Sequence, residues 1–205
     1  KETELFTNKI PLAEKKITSE VCIHHLWFDD SQYETKGSLI KWNPSVKTAA
    51  DRDGLWEALL DDRLDVVATD HAPHTFEEKD NKYLTAPSGG PLVQHALLGM
   101  LEKAEEGKIS IERVVEKMAH APAILFRIAE RGFIREGYFA DLVIVDPSKH
   151  YSVTKENILY NCGWSPFEGV EFSNSIDSTY VNGNKVYDRG GIIESGTGSR
   201  LIFNR

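Results

Sequence analysis

The sequence predicts an α/β fold followed by a mostly β tail, and three observations carry that prediction. A short apolar run, Val66-Val67-Ala68-Thr69, ends abruptly in Asp70-His71-Ala72-Pro73-His74, as a buried strand does where its end opens into a loop. Apolar residues at helical spacing flank it, at 51–60, 91–103 and 109–127. From Gly132 the texture turns to β, with Leu142-Val143-Ile144-Val145 as its strongest run. In an α/β barrel the carboxyl end of a strand is where side chains reach the mouth of the active site. Asp70, with His71 and His74 close behind, is therefore a candidate for metal or proton chemistry. Taken alone the segment fits equally well a helix N-cap aspartate followed by a solvated histidine.

The remaining elements follow in chain order. Residues 1–16 mix Leu5, Phe6, Ile10 and Leu12 with charges, which predicts an amphipathic helix interrupted near Pro11. Residues 17–28 are rich in β-branched and aromatic types and read as a strand, with Glu20, His24 and His25 on it or just past it. Adjacent strand positions face opposite ways, so only one of the two histidines would face an interior; a pair of hydrogen-bonded structural histidines is the competing reading. Asn43 precedes Pro44, which holds it extended and sets the direction of its amide, although Asn-Pro also serves simple turns. Leu55, Trp56, Leu59 and Leu60 predict a helix packed on the outside of the central strand. Residues 74–90 form a polar loop ending in Ser88-Gly89-Gly90, where backbone N–H groups can approach a ligand closely or simply run over the surface. Pro91 opens a helix to about 103, and Ser110 caps another that Pro122 kinks or divides. Asn182-Gly183 is the signal of a type I′ hairpin within 177–188, and residues 162–169 read as an irregular packed loop. The change near 128–132 divides the chain into parts 1–130 and 131–205.

Composition excludes several classes. With 40% hydrophobic and 27% charged residues the chain of 205 residues is ordinary globular protein. A net charge of −8 with no basic stripe argues against nucleic acid as a partner. No apolar run approaches the roughly 20 residues needed to cross a membrane, and no leader opens the chain. Cys22 and Cys162 are isolated thiols, which points to a reducing compartment, the cytoplasm by default. The chain opens on Lys1 in polar text, which reads as a piece of a longer protein.

Several stretches together resemble dihydroorotases of the long, class I type within the amidohydrolase superfamily. Glu20-Val21-Cys22-Ile23-His24-His25-Leu26 is similar to that family's E-V-x-P-H-H-L, with Ile23 in place of the proline. Lys41-Trp42-Asn43-Pro44 resembles K-x-N-P, and Thr69 to Lys79 resembles S-D-H-A-P-H-x-x-E-E-K. Gly132 to Asp146 is similar to the family's passage into a β-sandwich, and Trp164-Ser165-Pro166-Phe167-Glu168-Gly169 matches a further signature. His74 is the discriminating residue, because allantoinases and hydantoinases resemble the central strand only as far as Asp-His.

The resemblance implies the last strands and helices of a (β/α)₈ metal-dependent-hydrolase barrel in 1–130 and a β-sandwich segment in 131–205. It implies zinc, one or two ions, with Asp70 as both metal ligand and proton carrier. Asn43 and His74 would contact substrate, Ser88 and Gly89 would offer backbone groups to the ring, and His25 and, more weakly, Glu20 would support the site from behind. The small-molecule substrates would be dihydroorotate and N-carbamoyl-L-aspartate in pyrimidine synthesis, and the partners a second copy in a homodimer and aspartate transcarbamoylase. The family's H-x-H pair, its bridging carboxylated lysine or aspartate, two further histidine ligands and the arginine for the substrate carboxylate are missing here and expected upstream. Lys47 stands where the family often has an arginine, a non-equivalent exchange. On this reading the chain alone is inactive, since it lacks most ligands and would expose sheet edges. Another cyclic amidohydrolase, an allantoinase or hydantoinase, and a non-catalytic dihydroorotase-like subunit are the alternatives.

Overall fold

Strand β1 (Glu20–Cys22) and strand β2 (Val66–Ala68) lie side by side and parallel, pairing Glu20 with Val66, Val21 with Val67 and Cys22 with Ala68. They form the centre of a computed structural model that describes residues 2–7, 10–194 and 196–204. Parallel strands need a long crossover. Here it contains α1 (Ile23–Trp27), α2 (Tyr33–Lys36) and α3 (Ala49–Leu60). Thr48 starts α3 with a capping box, its hydroxyl accepting from the Asp51 N–H. Trp56 is buried core, as its spacing predicts, and its indole N–H donates to the Leu26 carbonyl at 2.9 Å.

After β2 come α4 (Phe76–Lys79), α5 (Ala96–Glu105), α6 (Ile111–Val115) and α7 (Ala121–Leu125). A wide π turn, Glu116–His120, joins α6 to α7, so the helix passes Pro122 by widening where a regular turn would need the missing N–H. Ser110 caps α6 as predicted, accepting from the Arg113 N–H. One apolar core, including Val21, Ile23, Leu26, Trp56, Leu59, Val67, Leu98 and Met100, fills the space between the strand pair and these helices and extends to Phe167 and Phe172 of the tail.

The tail contributes β3 (Leu142–Asp146), β4 (Tyr151–Ser152), β5 (Glu171–Phe172), β6 (Ser175–Val181), β7 (Asn184–Asp188) and β8 (Gly191–Ile192). An antiparallel sheet has the order β3-β6-β7-β8, and β4 and β5 form a separate two-stranded ladder. Asn182 and Gly183 both have positive φ, 51° and 81°, as a type I′ turn demands. Among the described residues no helix is long and apolar enough to cross a membrane.

Three expectations are corrected. Among the described residues of the segment 1–16 there is no amphipathic helix but two 3-10 turns, Glu2–Leu5 and Leu12–Glu14, neither burying a residue; residues 1, 8 and 9 lie outside the described residues. The segment 17–28 is extended only at 20–22 and then turns helical. Its β-branched text is overridden because Ile23, His24 and Leu26 are all buried, which helical winding achieves and alternation cannot. The helix expected from Pro91 begins at Ala96. The Leu92 and Val93 N–H groups instead donate to His71 Nδ1, at 3.0 and 3.3 Å, which holds that stretch to the end of β2.

Candidate active site

The carboxyl ends of β1 and β2 emerge together, so residues just past each strand share one mouth. Asp70, two residues beyond β2, has φ 46°, a left-handed conformation that aspartate tolerates better than most side chains. Its carboxylate is exposed and makes no hydrogen bond among the described residues. Its charge is felt across the mouth at Cys22 and His25. Burial pushes the Cys22 thiol up to about 12, with the charges of Asp70 and Glu20 adding to the effect. Glu20 itself is exposed.

The two histidines of α1 behave differently. His24 is fully buried, stacked on Trp42 at 4.3 Å, and neither of its ring nitrogens has a hydrogen-bond partner among the described residues. Burial, reinforced by His25, pushes its pKa down to about 2. Burial also lowers His25, against the opposing pull of the Pro44 carbonyl and Asp70. The His25 Nε2 meets that carbonyl at 2.9 Å, tying β1's end to the segment carrying Asn43, whose peptide bond to Pro44 is cis. Asn43 is exposed.

The loop after β2 supplies the second half. His74 Nε2 lies 3.2 Å from the Ser88 carbonyl and Nδ1 lies 3.5 Å from Glu78. The Trp164 indole N–H donates to the His74 carbonyl at 2.8 Å. Gly89 needs its missing side chain, because at φ 120° a Cβ would stand 2.5 Å from the Ala72 carbonyl oxygen. Its N–H donates to the Lys41 carbonyl at 3.0 Å, while the N–H and hydroxyl of Ser88 make no hydrogen bond among the described residues. The structure thus joins His74 to Ser88, His25 to Pro44, and Asp70 electrostatically to Cys22 and His25. It makes no direct hydrogen bond from Asp70 to His74 or Asn43.

Lys79 is a residue that sequence reasoning passed over. It is fully buried, with Nζ donating to the carbonyls of Lys41 (2.9 Å), Pro87 (3.1 Å) and Gly89 (2.7 Å). Burial, with Lys41 nearby, lowers its pKa to about 8. One cation therefore pins the loop 87–89 to Lys41, two residues before Asn43. In the sequence it stands among Glu77, Glu78 and Asp80, where a lysine reads as solvated. His71 proves structural, its Nδ1 accepting two backbone N–H groups.

A carboxylate at the tip of one parallel strand, imidazoles at the end of its neighbour and a clamped glycine loop line one mouth at the carboxyl end of the strand pair. The amidohydrolase family matches residues 6–186, and the chain belongs to that family. It is 40% identical over 171 residues to a dihydroorotase of Halobacterium salinarum, covering 83% of this chain and 40% of that protein. It is 33% identical over 186 residues to a dihydroorotase of Pyrococcus abyssi, covering 91% of this chain and 44% of that one. Among solved structures it superposes on the L-hydantoinase (dihydropyrimidinase) of Arthrobacter aurescens with a TM-score of 0.83 and 29% identity, over 90% of this chain and 42% of that one. The chain thus spans less than half the length of the relatives it matches.

Proposed function

We propose that this chain is the carboxyl-terminal part of a dihydroorotase, with residues 1–130 belonging to the barrel and 131–205 to a β-sandwich. The observation that carries the reading is Asp70, an exposed carboxylate at the tip of β2 whose charge reaches Cys22 and His25 on the neighbouring strand end. The similarity to dihydroorotases over more than four fifths of the chain supports the substrate class.

Asp70 is a fitting ligand for a divalent cation, zinc on this reading, because its carboxylate is exposed and makes no hydrogen bond among the described residues. One carboxylate does not complete a site, and three or more protein ligands are the norm. When bound, the ion supplies Lewis acidity and an activated water. Water adds to the ring carbonyl carbon of dihydroorotate while Asp70 accepts its proton. The C–N bond then breaks, and Asp70 returns the proton to the departing ring nitrogen. His74 and Asn43 hold the substrate, His74 as donor to its carboxylate. Ser88 offers its N–H to the ring, and Gly89 shapes the loop around it. His25 and Glu20 flank Asp70 and set its surroundings.

The test is ring opening of dihydroorotate, hydantoin, dihydrouracil and allantoin by the protein in the form the cell makes. Dihydroorotate is expected to have the highest kcat/KM. A preference for hydantoin or dihydrouracil, in keeping with the structural likeness to a hydantoinase, would overturn the substrate assignment.

A further inference from the structure

Beside Asp70 stands a donor set in which Cys22 and His24 have no role assigned above and His25 only flanks Asp70. Cys22, His24 and His25 each offer one ligand atom, and the three atoms lie within 4.8 Å of one another. Cys22 ends β1 and the two imidazoles sit on the first turn of α1. Had the strand continued, His24 and His25 would face opposite sides. The switch from extended to helical backbone is what gathers three near-neighbours in sequence around one point.

Each donor has an atom free to bind a ligand. His24 is fully buried with both ring nitrogens unpartnered, a state that costs stability unless something satisfies it. Stacking on Trp42 covers the face of the ring and leaves its in-plane nitrogens bare. His25 holds the Pro44 carbonyl with Nε2, which leaves Nδ1 uncommitted. A backbone carbonyl on one nitrogen is the usual means of orienting a metal-bound imidazole through the other. Cys22 is half-buried, so the cluster is reachable from the mouth. The carboxylates of Asp70 and Glu20, which act on Cys22, oppose a bare thiolate but favour a cation that takes the place of its proton.

From this geometry we propose that Cys22, His24 and His25 form a site for a thiophilic divalent cation, zinc foremost, bound by one thiolate and two imidazoles. Binding displaces the Cys22 thiol proton to solvent and leaves a fourth position open to water. Sulfur and imidazole select zinc over magnesium or calcium. Bonds of about 2.0–2.3 Å require the donors to draw closer than the spacing seen here. The site uses no atom of Asp70, so it is distinct from the ion assigned to catalysis and does not rest on the dihydroorotase reading.

Cobalt(II) added to the metal-free intact protein reports the site, since a thiolate ligand gives a sulfur-to-cobalt charge-transfer band in the near ultraviolet. The band is expected to develop with an equivalent of cobalt and to vanish when zinc is added. Cys22→Ser is expected to abolish it, and His24→Gln or His25→Gln to weaken cobalt binding at least tenfold. Cys162→Ser and Asp70→Asn are expected to keep it, whatever Asp70→Asn does to turnover. Cys22 is only half-buried, so Cys22→Ser decides the matter even if His24→Gln fails to fold. No thiolate band in the parent protein, or a band that survives Cys22→Ser, would overturn the proposal.

Discussion

Asp70 and Lys79 show how differently two charged residues can serve one mouth. Asp70 is exposed, left-handed at φ 46° and makes no hydrogen bond among the described residues. Asparagine shares its tolerance of that conformation, so Asp70→Asn is expected to leave stability within about 0.5 kcal/mol. If Asp70 carries the proton as proposed, the same change lowers dihydroorotate turnover by about 10³-fold, the range of a lost general acid–base group; steady-state rates and thermal unfolding on the same sample check both halves. Lys79 is the reverse case, buried and satisfied by three carbonyls. Lys79→Met keeps an unbranched side chain only one atom shorter but strips those carbonyls of their donor, at about 1–3 kcal/mol. Because the loop 87–89 then loses its anchor, KM is expected to rise more than kcat falls. A urea midpoint together with the KM-against-kcat split tests this, and an unchanged KM would show that the clamp does not position the loop. The positions of Asp70 and His74 just past a buried strand are legible in sequence because the apolar run and Pro73 mark them. Cys22 and Lys79 are not, since a lone thiol resembles a small apolar residue and a lysine among acids resembles a solvated one.

Helix α6 and the π turn after it hold β2 from behind, through contacts that local pattern does not announce. Lys117 is buried, and its Nζ donates to Asp62 and to the Leu64 carbonyl, both at 2.8 Å. Arg113 reaches the same Asp62 oxygen at 2.7 Å. The loop just before β2 is thereby fixed to a helix some fifty residues later. Asp62→Asn preserves the left-handed backbone at φ 68° and leaves Lys117 short of its counter-charge. Loss of one partner of a buried pair is costly, but the Asp62 side chain is 50% exposed, so water offsets part of it and about 1–2 kcal/mol is expected. Chemical denaturation of Asp62→Asn against the parent measures the loss. At this scale the helices at 51–60 and 109–127 were readable from apolar spacing and caps. The segment 17–28 was not, because its composition favours a strand while the burial of Ile23, His24 and Leu26 demands a turn of helix.

For the molecule as a whole, the order of an α/β part and a β tail is visible in the change of texture near residue 130, whereas the contacts joining them are not. Trp164 donates to the His74 carbonyl and Ser165 meets His95 Nδ1 at 3.0 Å, pairing residues too far apart in sequence for periodicity to relate. His95 makes this join sensitive to pH. It is fully buried among Tyr151, Tyr160, Phe167 and Phe172, and burial pushes its pKa down to about 4. In the unfolded chain it titrates near 6.5. Between those values the unfolded state binds more protons, so stability rises with pH across the window and is lost as acid is added. The stabilisation from neutral His95 is therefore complete above about pH 6.5 and declines steadily toward pH 4, by on the order of 3 kcal/mol at most. Carboxylates add their own acid dependence, which a difference between two proteins removes. His95→Asn keeps a polar partner for Ser165 and cannot titrate. It is expected to be less stable than the parent at pH 7, with the gap narrowing as pH falls to 4. Unfolding free energies at several pH values give the two curves, and curves that run parallel would mean that His95 does not couple the joined parts to acid.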